Sequence, residues 1–198
     1  MNIGVNCAIN EQSALLENIL RKNSGVYQVI SALEQFKLPN AYVAAGCISQ
    51  TVWNFQEGKP LHNGISDIDV IYYDNEDLSS EPEAEIEVML NKHFHNIGYK
   101  IDITNEARTH LWYESKFGIA IPPYTSSEDA INSWIPATAV GVRYCNDIFC
   151  IYAPFGMNDL FGQVVRPNKS LASKDHFEYK SAKWKAIWKN LRIIDWQS

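Results

Sequence analysis

The hydrophobic and polar positions of this 198-residue chain change period repeatedly, and each change predicts an element. Leu15, Leu16, Ile19 and Leu20 recur at helical spacing over 10–23, with Asn10 as the expected cap. Val26, Val29, Ile30, Leu33 and Phe36 repeat the pattern over 26–38, until Pro39-Asn40 breaks it. AYVAAG (41–46) is small and apolar and reads as a buried strand, CISQTVWNFQ (47–56) turns helical, and EGKPLHNGIS (57–66) is a loop. DIDVIYYD (67–74) is a second strand. SSEPEAEIEVMLNKHF (79–94) predicts a helix with a Ser80–Glu83 capping box and an apolar face of Ile86, Met89, Leu90 and Phe94. In YKIDITNEA (99–107), Ile101 and Ile103 alternate with Lys100, Asp102 and Thr104, which gives a third strand. RTHLWYESKFG (108–118) and TSSEDAINSW (125–134) are short helices, the second capped by Thr125 with Glu128. AVGVRYC and IFCIYA (139–145, 148–153) flank the turn pair Asn146-Asp147 and predict a hairpin. Over 174–194, Phe177, Trp184, Trp188 and Leu191 fall on one stripe of a C-terminal amphipathic helix.

Composition sets bounds on this picture. The length suits a single domain over 1–198, divided into N-terminal helices (1–40), a core (41–168) and a C-terminal helix (169–198). A hydrophobic content of 46% with 20% charged residues is that of an ordinary globular chain. No apolar run approaches the ~20 residues that cross a membrane, and MNIGVNCAIN has no basic region followed by an apolar core. Cys7, Cys47, Cys145 and Cys150 form no CxxC pair, which argues against zinc and for reduced thiols in a cytoplasmic protein. The net charge of -6 is uneven: seven Lys/Arg against two acids over 169–192 give +5, which leaves -11 elsewhere. An acidic body disfavours a long polynucleotide footprint, and the basic C-terminal segment leaves room for a small one.

The candidate chemistry begins at GISDIDVIYYD (64–74). Residues two apart on a strand share a face, so Asp67 and Asp69 point the same way while Ile68 and Val70 point into the core. Two carboxylates this close repel unless a cation lies between them, and such oxygen ligands suit Mg²⁺ or Mn²⁺ with substrate phosphates. Asp-x-Asp alone is also a common surface pattern. The surroundings add weight. The small-residue strand ends at Ala45-Gly46-Cys47 and enters a helix at once, where Gly46 permits a tight turn and close backbone approach. The free N–H groups and dipole of that helix start favour an anion. Asp102 offers a third carboxylate on a strand. Three acids and a phosphate-holding turn together suit two-metal phosphoryl or nucleotidyl transfer.

These residues resemble the DNA polymerase β-like nucleotidyltransferase superfamily, and more narrowly a small bacterial group of nucleotidyltransferase family proteins. The strings that carry the resemblance are AAGCISQTVWN, GISDIDVIYYD, NEARTHLWYE, FGIAIPPYTSSEDAI, TAVGVR, APFGMNDLF and VVRPN, spread over about residues 41 to 190. The resemblance implies an α/β (α+β) fold with a mixed β-sheet that carries the acids. It implies that Asp67, Asp69 and Asp102 hold metal, with Asp102 completing the catalytic site, and that Gly46, Cys47, Ser49 and Arg108 bind the nucleotide, the first two facing its triphosphate. Two departures stand out. Cys47 replaces the Gly or Ser usual after the motif glycine, so a hydroxyl contact is lost while the backbone N–H remains. The segment FQEGKPLHNG lengthens the gap between Gly46 and Asp67. Relatives carry arginine where this chain has Ser49, so a phosphate-neutralising cation has to come from elsewhere or activity is weakened.

Further residues carry two readings each. Arg108 and His110 are contacts to phosphate and substrate, or an ion pair and a packed histidine. Asn105 caps the following helix. Arg143 on the hairpin reaches either the site or solvent, and Arg166 touches the acceptor or belongs to a structural turn. Trp53, Trp112, Tyr113 and Trp134 pack in the core or stack on a base. Lys180, Lys183, Lys185 and Lys189, interleaved with Trp184 and Trp188, form an RNA-binding face or the solvated side of a packed helix.

The expected function is metal-dependent transfer of a nucleoside monophosphate from a nucleoside triphosphate to a hydroxyl of a small molecule or protein. The alternatives are a non-catalytic nucleotide or metal sensor on the same scaffold, and an enzyme that modifies RNA ends.

Overall fold

A five-stranded mixed sheet organises the chain in the computed structural model, which describes residues 3–170 and 173–197. Its strands are β1 (Tyr42–Ala44), β2 (Asp67–Tyr72), β3 (Lys100–Asn105), β4 (Gly141–Cys145) and β5 (Ile148–Tyr152), in the spatial order β3-β2-β1-β4-β5. Only the β2–β3 pair is parallel, because α4 (Glu81–His93) crosses over between these two strands. The α/β fold expected from the sequence is present.

One face of the sheet is apolar throughout. Val43, Ile68, Val70, Ile101 and Val142 are buried there against α1 (Ile9–Lys22), α2 (Ser24–Ala32), α3 (Gly46–Gln56) and α4, through Leu16, Ile19, Val29, Ile30, Ile48, Val52 and Leu90. The opposite face is divided. Tyr42, Ala44 and Ile71 are covered by Ile131 of α6 (Ser127–Asn132) and by Ala139, while Asp67, Asp69 and Asp102 occupy the rest. The period-two alternation of DIDV is therefore what separates core from chemistry.

A second core joins the C-terminal helix to the body. Trp53 of α3 meets Trp184 and Trp188 edge-on at 5.7 and 5.3 Å, and Phe177, Val165 and Leu191 close the cluster. The Trp188 indole N–H donates to Asn54 Oδ1 at 2.8 Å, and Asn54 Nδ2 donates to the Leu61 and Asn63 carbonyls. Gly64, at φ +76°, lies so close to the Trp188 ring that an added Cβ would fall 2.9 Å from it. The loop between α3 and β2 is thus the seat of the C-terminal helix.

Several boundaries differ from the sequence reading. The helix expected over 174–194 is α8 (Lys174–Ile187); Trp188 is already extended, and Arg192–Ile193 form a strand, β7, pairing in parallel with Val164–Val165, β6. Leu191 thus reaches its cluster from a loop and not from the helical stripe. The second helix gives way to a 3-10 turn, Leu33–Phe36, before Pro39. Ala8, not Asn10, precedes α1, and Glu11 accepts from its N–H at 3.0 Å. Ser80 makes no side-chain cap, since Glu83 turns instead to Arg108 and to the Asn105 N–H. Ser126, not Thr125, caps α6, accepting from the Asp129 N–H at 3.1 Å. Helix α5 (Thr109–Phe117) follows a 3-10 turn at Glu106–Arg108, and Asn105 accepts from the Ala107 N–H, as its capping role requires. Helix α7 (Asn158–Gly162) completes the set.

Candidate active site

The three acids come together through strand register. Ala44 is opposite Asp69, and Asp69 is opposite Asp102, so one row crosses β1, β2 and β3; Asp67 stands two residues earlier on β2. The chain turns immediately after Ala44. The residue with unusual backbone there is Ala45, at φ 59° and ψ -128°, in a region that suits glycine and costs an alanine about 1–3 kcal/mol. Gly46 itself is helical, and its missing side chain serves close approach: an added Cβ would lie 3.0 Å from Gln50 Nε2 and 3.8 Å from Asp69 Oδ2. The Asp69 carboxylate thus faces the start of α3, where the Gly46 backbone favours its charged form.

Asp69 is half-buried as a residue, but its carboxyl faces a cleft where protein surrounds it. Burial, then Asp67, then Asp102 push its pKa up to about 7; Lys180 and the Gly46 N–H act in the opposite sense. Asp102 is the most open of the three, and burial and Asp67 raise its pKa while Lys100 lowers it. The set is short of positive charge and offers only hard oxygen ligands, which fits a divalent cation shared with phosphate oxygens. Among the described residues, no set of three or more His, Cys, Asp or Glu side chains is gathered as a ready-made metal site. A paired-carboxylate site that relies on substrate phosphates for its remaining ligands is consistent with both observations.

A cavity of about 260 Å³ opens beside Asp69. Asp69, Ile71 and Thr104 form its floor. Trp112, Tyr113 and Phe117 of α5, with Tyr124 and Trp134, supply aromatic walls. Glu106, Thr109, Ser133 and Thr138 add polar groups, and His176 and Lys180 of α8 stand at the border. Glu106 is 4% exposed and accepts from Thr109 Oγ1 at 2.8 Å. Burial above all, then Glu83 and Asp69, raise its pKa to about 7 against the Thr109 hydrogen bond.

The remaining candidates lie elsewhere. Cys47 is buried with its thiol donating to the Ala44 carbonyl at 3.2 Å, and burial followed by Asp69 holds its pKa well above the ordinary value. Ser49 is fully buried, and its hydroxyl is directed to the Ala45 and Gly46 carbonyls of its own helix. Arg108 pairs with Glu83 at 2.8 Å and donates to the Leu78 carbonyl at 3.0 Å. His110 is half-buried next to Thr109, and its Nδ1 has no hydrogen-bond partner among the described residues. The Arg143 guanidinium lies over the Tyr42 ring at 4.2 Å. Arg166 is held by Asp159 on the side of the chain that includes α7 and Arg192. Trp53 is wholly core, whereas Trp112, Tyr113 and Trp134 line the cavity.

Nothing in the sequence pattern singles out Glu106 or His176, and Lys180, expected on a solvated or RNA-facing side, is exposed and also borders the cavity. Glu106 follows a strand in a segment read as the beginning of a helix, and nothing in its neighbours marks it as buried. Lys180 and His176 are one turn apart on α8, and both border the cavity.

Comparison with known proteins bears on this geometry. A family model described as Nucleotidyltransferase matches residues 31–193. A solved structure described by the words "The NMR structure of the protein reveals a CCA-adding enzyme head domain" superposes with a TM-score of 0.72 at 26% identity, covering 90% of this chain and 95% of that one. No curated protein matches the chain.

Proposed function

The chain belongs to a nucleotidyltransferase family, and from this premise we propose that it moves a nucleoside monophosphate from a nucleoside triphosphate to a hydroxyl of a small acceptor, at the acids of β2 and β3. The observation that carries the reading is the row Ala44–Asp69–Asp102, which sets two carboxylates against a helix start, with Asp67 on the same face. Asp67 and Asp69 would hold Mg²⁺ or Mn²⁺ together with phosphate oxygens. When bound, the metal supplies charge neutralisation at the transferring phosphoryl group.

The chain's own groups do the rest. The start of α3, beside Asp69, would present backbone N–H groups to phosphate. Asp102, the most open acid, orients the acceptor hydroxyl and takes its proton. The acceptor oxygen bonds to the α-phosphorus as the bond to pyrophosphate breaks. The cavity beside Asp69 is bordered by α5, α8 and the segments on either side of α6 and is of the size of a small ring compound, which favours a small acceptor over a polymer.

A second reading, modification of RNA ends, is favoured by the likeness to a structure described as a CCA-adding enzyme head domain. One experiment addresses both. Melting temperature is measured with nucleoside triphosphates in Mg²⁺, Mn²⁺ or excess EDTA, followed by incubation of α-labelled nucleotides with metabolite and RNA fractions. Nucleotide and metal together are expected to stabilise more than either alone, because the ligand binds only the folded state, with label entering the metabolite fraction. Equal stabilisation in EDTA overturns the metal-bridged arrangement, and label in RNA ends establishes the second reading.

A further inference from the structure

With serine at position 49, a phosphate-neutralising cation has to come from elsewhere in the cleft, and Arg108 does not supply it. Ser49 is buried against its own helix backbone, and Arg108 is committed to Glu83. The cleft has another source. Lys180 reaches it from α8 and borders the same cavity as Asp69, with His176 one turn earlier. Lys180 and Asp69 act on each other electrostatically, yet among the described residues no ion pair joins them. Space for phosphate oxygens therefore remains between the ammonium and the carboxylate.

We propose that Lys180 is the triphosphate-binding cation of this protein, reaching across the cleft from the C-terminal helix to the phosphates held at Asp69. The inference rests on the nucleotidyltransferase reading and adds a substrate contact to it. Two features favour the assignment. The first is placement. Phe177, Ser181 and Trp184 are buried on the side of α8 that packs on Trp53, and this fixes the phase at which Lys180 leaves the helix. The second is charge. Lys180 is exposed as a residue, but its stem and ammonium lie against the cleft, so that desolvation, opposed by Asp69, lowers its pKa, as do Lys116 and Lys183. A polyanion entering there relieves repulsion among Lys180, Lys116 and Lys183. The neighbouring His176 is pushed down by burial, Lys180 and Lys116, which makes Lys180 and not His176 the cation of this border.

The test uses the full-length protein with inorganic tripolyphosphate and ATP, each with Mg²⁺, in calorimetric titrations. Lys180→Ala should weaken tripolyphosphate binding about 10- to 100-fold, as expected for a lost charged contact. Lys180→Arg should stay within a few-fold of wild type. Lys189→Ala removes the same charge from beyond the end of α8 and should leave affinity unchanged. All three variants should melt close to wild type. Equal binding by wild type and Lys180→Ala overturns the inference while leaving the nucleotidyltransferase reading intact. A similar loss in Lys189→Ala also overturns it, in favour of a general field effect. A wild-type protein that binds neither probe overturns the functional reading itself.

Discussion

Replacing Glu106 by glutamine should stabilise the protein above neutral pH, although it touches the wall of the candidate site. Glu106 is 4% exposed, its one hydrogen bond among the described residues comes from Thr109, and its pKa stands at about 7 against 4.5 for an ordinary glutamate. Burial is the main cause, with Glu83 and Asp69 adding repulsion. The sign follows from proton linkage. Between the two pKa values the folded state holds a proton that the unfolded chain has released, so stability falls as pH rises through this window. At about 1.4 kcal/mol per pH unit, the gap is worth about 3 kcal/mol, fully lost once the pH exceeds the folded value. Glutamine mimics the protonated acid, and its carbonyl can still accept from Thr109. The variant should therefore match wild type near pH 4.5 and exceed it by about 3 kcal/mol at pH 8, which raises the melting temperature by roughly 6–12 °C in a chain of this size. Urea unfolding of both proteins at half-unit intervals from pH 4.5 to 8 measures the difference directly. A variant that is less stable at every pH, or a difference independent of pH, would show that Glu106 is charged and paired in the fold, and would refute the reasoning.

Asp69→Asn should abolish nucleotidyl transfer and leave the metal-free protein as stable or slightly more stable, because it removes one charge from the group Asp67, Asp69 and Asp102. A destabilised metal-free protein that keeps its full Mg²⁺-dependent nucleotide shift would show Asp69 to be structural. Trp188→Ala deletes a fully buried ring and the hydrogen bond to Asn54, and should cost about 3–5 kcal/mol in urea unfolding. A loss below about 1 kcal/mol would mean that the C-terminal segment is not a structural part of the body.

What the sequence could reveal followed from period. Where one alternation governed a whole element, as in DIDVIYY or YKIDITN, the strand, its buried face and its exposed acids were all legible, and the register of β2 with β3 then placed Asp69 beside Asp102. Ends of elements were less legible, because they depend on competition for partners. Glu83 is a good capping residue by spacing, but Arg108, distant in sequence, draws it away from Ser80. The C-terminal helix stops early for a similar reason. Trp188 turns its indole N–H to Asn54, and Arg192–Ile193 pair with Val164–Val165, contacts that no local pattern contains. The turn at the site was legible by location but not by mechanism, since the unusual backbone belongs to Ala45 and the close approach to Gly46. The cavity was not legible, because its walls come from several separate segments whose residues look like core or surface when each is viewed alone.

Two peculiarities of the sequence acquire a common explanation in three dimensions. The segment that lengthens the path from Gly46 to Asp67 could be a neutral surface excursion. Instead, Leu61 and Asn63 anchor Asn54, Gly64 receives the Trp188 ring, and the Lys59 ammonium donates to the Ile187 carbonyl. The added loop therefore docks the end of α8. Trp53, which holds α8 from the other side, lies about two turns along the helix that begins at Gly46. Helix α8 is thus tied to the element that carries the phosphate turn, by contacts on both sides of its C-terminal end. A lysine on a helix held in this way starts from a fixed backbone position at the border of the cleft, within reach of the phosphates we propose at Asp69. If Lys180 binds phosphate as proposed, the longer loop is what seats the helix that supplies it. The same packing argues against an RNA-binding role for the tryptophans of this segment, since Trp188 is fully buried and Trp184 is 9% exposed, which leaves neither ring free to stack on a base.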